Sequence, residues 1–84
     1  MAIQESLRRL IAECEQSRGK SPRGFVLPAP CADELIAVVA LTEPNVEKLT
    51  AFGRALFNPT PHNHVTFYGV PVRAESRERI LVRL

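Results

Sequence analysis

Leu35-Ile36-Ala37-Val38-Val39-Ala40-Leu41 is an unbroken apolar run in a chain of 84 residues, and it narrows the choice of folds more than any other stretch. It is far short of the roughly 20 apolar residues needed to cross a bilayer, so its place is in a protein core. A buried strand and a buried helical segment both fit a run of this length, and periodicity alone does not separate them. Asp33-Glu34 ahead of it could open a helix. The β-branched Ile36, Val38 and Val39 favour a strand, and a helix-start signal, Thr42-Glu43-Pro44, follows at once. The run is therefore predicted as a strand.

The flanking segments read more directly. Ile3, Leu7, Leu10, Ile11 and Cys14 recur at helical spacing and form one apolar stripe. Arg18-Gly19 supplies a cation and a left-handed cap at its end, which predicts a first helix over 3–17. Thr42 as cap, Glu43 in the first turn and a tolerated Pro44 predict a second helix over 43–57. Val46, Leu49, Gly53 and Leu56 share its face, and Asn58-Pro59 ends it. Gly53 in mid-helix costs about 1 kcal/mol relative to alanine, and close approach to a sheet would justify it. Phe25-Val26-Leu27 reads as a short strand that Pro28 and Pro30 confine, or place at a sheet edge. Val65–Tyr68 reads as a strand and Val70–Arg73 continues extended, with a bulge, a tight bend or a turn at Gly69. Ile80, Val82 and Leu84 alternate with Arg79, Leu81 and Arg83, a half-buried strand. Residues 74–78 turn the chain back to make an antiparallel pair. The expected core is Leu7, Leu10, Ile11, Ile36, Val38, Leu49, Phe52, Leu56, Phe67, Val70, Val72, Ile80 and Val82.

These elements define one domain over 1–84, of α+β class: two helices packed on one face of a small, mainly antiparallel sheet. A domain this small buries only about 60–65% of its unfolded surface, which supports one core. Hydrophobic residues at 45% and charged residues at 24% match a globular composition and exclude wholesale disorder.

The eleven basic and nine acidic residues leave a formal charge of +2. From His62 onward Arg73, Arg77, Arg79 and Arg83 face only Glu75 and Glu78, and the rest of the chain is balanced. The whole excess therefore sits in the last quarter, either as a solvated strand face or as a patch for phosphate or an acidic protein surface. Nucleic-acid binders show denser basic stripes, and four phenylalanines, one tyrosine and no tryptophan do not build an aromatic RNA platform. The two cysteines, Cys14 and Cys31, lack Cys-x-x-Cys spacing and read as reduced thiols, with Cys31 in a proline-rich loop. The opening Met-Ala-Ile-Gln-Glu carries no signal-peptide pattern, so the expected location is cytoplasmic, without membrane association.

Few constellations carry chemistry. His62 and His64 alternate and could share a metal, but zinc needs three or four protein ligands. Only Cys31 or Asp33 stands in reserve, so no metal site and no cofactor are assigned. Gly19-Lys20-Ser21 ends like a phosphate loop, yet Cys14 stands where that loop needs glycine. No nucleophile elbow is present. Tyr68 beside Arg73 offers a stacking platform or an interface anchor.

Phe67-Tyr68-Gly69-Val70-Pro71-Val72-Arg73, after a helix and an Asn-Pro loop, resembles the hydrophobic-Gly-Val-Pro-Val strands of small phage and prophage accessory proteins. The resemblance implies an origin and a mode of action. Such proteins often bind a host protein, anti-CRISPR inhibitors among them.

The sequence thus leads to a small non-enzymatic interaction module for a protein partner, with Tyr68, Arg73, Arg77, Arg79 and Arg83 as the expected binding residues. Self-association as a homodimer would use an exposed strand edge or an apolar patch. The competing readings are nucleic-acid binding by the C-terminal arginines with Arg8, Arg9 and Arg18, and a metal-binding domain around His62 and His64.

Overall fold

The computed structural model describes residues 2–84. Three helices and four strands follow in the order α1 (Ile3–Arg18), β1 (Gly24–Pro28), α2 (Ala29–Ala40), α3 (Val46–Phe57), β2 (Val65–Phe67), β3 (Val70–Glu75) and β4 (Leu81–Arg83). The α+β class stands, with one helix more than the sequence predicts.

The first helix forms as its apolar stripe requires. Ile3, Leu7, Ile11 and Cys14 are its buried residues. Gly19 closes it with φ 75°, donating its N–H to the Glu15 carbonyl at 2.9 Å. A residue with a Cβ is disfavoured in that left-handed conformation.

The apolar run Leu35–Leu41 is not a strand. Ala29–Ala40 is helical, and Pro30 occupies the first turn, where a missing N–H costs nothing. The helix buries Ala32 and Leu35 and packs Ile36 and Cys31 against the core. Cys31 is thus a half-buried helical residue and not a loop residue. Length arbitrates where local composition does not, because with its flanks the run reaches twelve residues, ordinary for a helix and long for a strand. Much of the run remains at the surface, and Leu41 is 84% exposed.

Helix α3 begins later than the Thr42 cap predicts. Its cap is Asn45, whose side-chain oxygen accepts from Glu47 N at 2.9 Å and Lys48 N at 3.2 Å. Its interior Gly53 faces the Ile36 side chain of α2, not the sheet, and a Cβ there would sit 3.6 Å from Ile36 Cδ1. Close backbone approach is therefore not why it is glycine.

The sheet order is β2-β3-β1-β4. The β2–β3 and β1–β4 pairs are antiparallel, and the central β1–β3 pair is parallel. Two corrections follow. Phe25-Val26-Leu27 is a central strand and not an edge, with Pro28 tolerated as its last residue. Strand β4 does not pair with the strand before it; the chain crosses past the end of β1 and pairs with β1 from the far side. Strand β1 has neighbours on both edges, and all five of its residues are buried. This matches the continuous apolar pattern of a central parallel strand. Both edge strands, β2 and β4, span only three residues, which limits edge-to-edge pairing.

Phe25, Leu27, Val70, Val72 and Ala74 meet Ile3, Leu7 and Ile11 of α1, Ala32 and Leu35 of α2 and Leu56 of α3 in one core. All three helices therefore cover the same face of the sheet. Of the expected core, Leu7, Ile11, Leu56, Val70 and Val72 are buried, and Leu10, Ile36, Phe52, Phe67, Ile80 and Val82 pack against it. Val38 and Leu49 stay half-exposed outside it. Phe25 and Leu27 are the largest omissions.

Candidate partner-binding face

Strand alternation sends one set of side chains away from the helices. Phe25 pairs in register with Val72 and Val82 on the core side, so Gly24, Arg83 and Arg73 belong to the opposite face. Gly24 lies directly across from Arg83, and Val26 lies between Arg73 and Leu81. Val26 is fully buried although no helix covers this face; long arginine side chains shield such positions with their apolar stems while the head stays in water.

The charges here are unbalanced. Glu75 is shared between Arg73, whose Nη2 stands 2.9 Å from Oε1, and Arg77, whose Nη1 stands 3.8 Å from Oε2. All three side chains are about 40% exposed, which makes these weak bonds of about 0–1 kcal/mol each. Among the described residues Arg23, Arg79 and Arg83 form no ion pair. Arg73 Nε is buried with no hydrogen-bond partner.

A groove of about 490 Å³ opens beside Gly24. Arg23, Arg73, Arg83 and His64 line it, with Pro59, Pro71 and Leu84, and no acidic residue takes part. Arg23 is held there by its backbone N–H, which donates to the Arg83 carbonyl at 2.7 Å.

Tyr68 sits elsewhere. It occupies the two-residue turn between β2 and β3 with φ 50°, followed by Gly69 at φ 78°. Successive positive φ values match the twist of a type I′ hairpin. The ring packs edge-on against Phe67, centroids 4.7 Å apart, and Arg8 of α1 lies 5.8 Å from its centroid. The cation beside Tyr68 is thus Arg8 and not Arg73. Of the expected binding residues, Arg73 and Arg83 line the groove, Arg77 reaches Glu75 beside Arg73, Arg79 is exposed between β3 and β4, and Tyr68 joins none of them.

The histidines separate in role. His62 is exposed in the turn over 60–63, and His64 lines the groove. Among the described residues no three His, Cys, Asp or Glu side chains converge as metal ligands, so neither Cys31 nor Asp33 completes a site with the histidines. Among the described residues no helix is long and apolar enough to cross a membrane.

Sequence reasoning missed Arg23 and Gly24, and weighed His64 as a metal ligand. Arg23-Gly24 lies far from His64 in the sequence, and no motif spacing links them. Comparison with family models, curated proteins and solved structures finds no match to this chain.

Proposed function

We propose that this chain is a non-enzymatic interaction module that receives an acidic surface of a partner protein on the helix-free face of its sheet, and acts by occlusion or tethering. The observation that carries the reading is the pair of arginines in the groove without an ion-pair partner among the described residues, Arg23 and Arg83, with Arg79 also unpaired before β4 and Glu75 already shared by two others. Uncompensated charge of one sign steers a complementary partner and raises its association rate more than it adds affinity. The likeness of Phe67–Arg73 to phage accessory proteins supports a host protein as that partner, met in the cytoplasm.

Nucleic-acid binding is less well supported. Arg8, Arg9 and Arg18 belong to α1, which packs on the face of the sheet opposite to Arg73 and Arg83. The two groups make no continuous track for a phosphate backbone.

The test is affinity capture from a lysate of the source organism, with and without nuclease, using the wild type and the Arg79→Glu/Arg83→Glu variant. The expected result is one dominant protein, retained after nuclease and lost with the variant. Substitutions at such exposed sites usually stay within about 0.5 kcal/mol, so the variant keeps its melting temperature. Capture indifferent to charge reversal, or abolished by nuclease, would refute the reading.

A further inference from the structure

Gly24 is the only residue of β1 without a side chain; it opens this central strand, pairs with Arg83 of β4 and has Pro71 of β3 on its other side. Strands lie about 4.8 Å apart. A missing side chain in a central strand therefore opens a slot about 9–10 Å wide between the side chains of β3 and β4. A Cβ at Gly24 would meet the Pro71 carbonyl oxygen at 3.4 Å and Arg83 Cδ at 3.8 Å. The floor of the groove is thus empty because this residue is glycine. Arg83 forms one wall, Arg23 is anchored to the Arg83 backbone, and neither has a carboxylate partner. Arg73 adds a buried Nε–H with an unmet hydrogen-bond requirement. Buried donors in folded proteins are normally satisfied.

We propose that this groove seats a single carboxylate of the partner polypeptide, an aspartate or glutamate side chain, between Arg23 and Arg83 with Arg73 alongside. The proposal rests on the acidic-partner reading and specifies where that surface is gripped. Planar guanidinium groups match a carboxylate with paired, charge-assisted hydrogen bonds. The groove falls in the usual size range of small-ligand sites, about 300–1,000 Å³, so it can hold the carboxylate together with the residue that carries it. Pro59, Pro71 and Leu84 along the walls suit apolar neighbours of that residue. A nucleic acid would instead present a row of phosphates, for which the cations of the groove form a cluster and not a track.

The measurement is an NMR titration of the isotope-labelled chain with the blocked peptide acetyl-Leu-Glu-Leu-amide. The neutral acetyl-Leu-Gln-Leu-amide, inorganic phosphate and a short single-stranded DNA serve as comparison arms. The expected result is saturable shifts at the Gly24 amide and the side-chain N–H groups of Arg23, Arg73 and Arg83. Binding should weaken about tenfold or more for the glutamine peptide or the Arg83→Ala variant. Gly24→Ala should also weaken binding, because its methyl fills the floor while leaving the strand folded. Equal binding of the glutamine peptide would overturn the proposal, and so would tighter binding of phosphate or DNA at the same resonances. Partner capture lost with Arg77→Glu/Arg79→Glu but kept with Gly24→Ala and Arg83→Ala would overturn the groove and leave the acidic-partner reading standing. Capture unaffected by any of these variants would overturn both.

Discussion

Replacing Asn45 by alanine isolates one local decision of the fold. The side-chain oxygen of Asn45 satisfies two of the four backbone N–H groups left without partners at the start of α3, at 2.9 Å and 3.2 Å. Its extended backbone, φ −86° and ψ 111°, is the geometry of a capping residue. Such a substitution costs about 0.5–2 kcal/mol. The site is exposed, so water takes over part of the lost bonding, and about 1 kcal/mol is the expected loss. For a domain of this size that lowers the melting temperature by about 4–8 °C. Thr42→Ala is the control. The Thr42 hydroxyl donates only a long bond of 3.4 Å to the Val39 carbonyl at an exposed site, and its loss should stay within about 0.5 kcal/mol. Asn45→Asp keeps the acceptor and adds negative charge at the positive end of the helix dipole, so it should match the wild type or exceed it slightly. Thermal unfolding followed by far-ultraviolet circular dichroism separates the three variants. A Thr42→Ala loss equal to that of Asn45→Ala would refute this account of where α3 begins.

Gly53→Ala should raise stability by about 0.5–1 kcal/mol, because the added methyl meets Ile36 Cδ1 at an ordinary 3.6 Å and removes a mid-helix glycine; a lower urea midpoint would mean that α2 and α3 approach more closely than this. Leu35→Ala should cost about 2–4 kcal/mol, while Leu41→Ala, at an 84% exposed position, should change the same midpoint by about 0.5 kcal/mol or less. Similar losses at both positions would argue against the helical register of α2. Gly69→Ala forces a Cβ into φ 78° and should destabilise by about 1–2 kcal/mol in thermal unfolding; a neutral result would place the hairpin turn in another conformation.

What was legible in the sequence is what forms locally. The stripe Ile3-Leu7-Ile11-Cys14, the glycine stop at Gly19 and the Asn58-Pro59 end of α3 each act within a turn or two of the chain. Gly69 signalled its turn for the same reason, since a positive φ is a property of one residue. The Leu35–Leu41 run misled because a continuous apolar stretch has no periodicity to read, and β-branched residues are only a weak prior against helix. The arginine excess was visible as composition. The groove was not, since Arg23-Gly24, His64 and Arg83 lie far apart in sequence and meet only through the β2–β3, β1–β3 and β1–β4 pairings.

The sequence by itself determined an α+β domain with its first helix, a break at Gly69 and a basic C-terminal quarter. These follow from side-chain spacing, backbone preference and charge, which are properties of neighbouring residues. Only the tertiary structure decided that β1 is central, that α2 is a helix, and that Gly24 leaves a slot between Arg83 and Pro71. Each of those depends on which distant strands pair, and pairing is settled by burying Phe25, Leu27, Val70 and Val72 together beneath three helices.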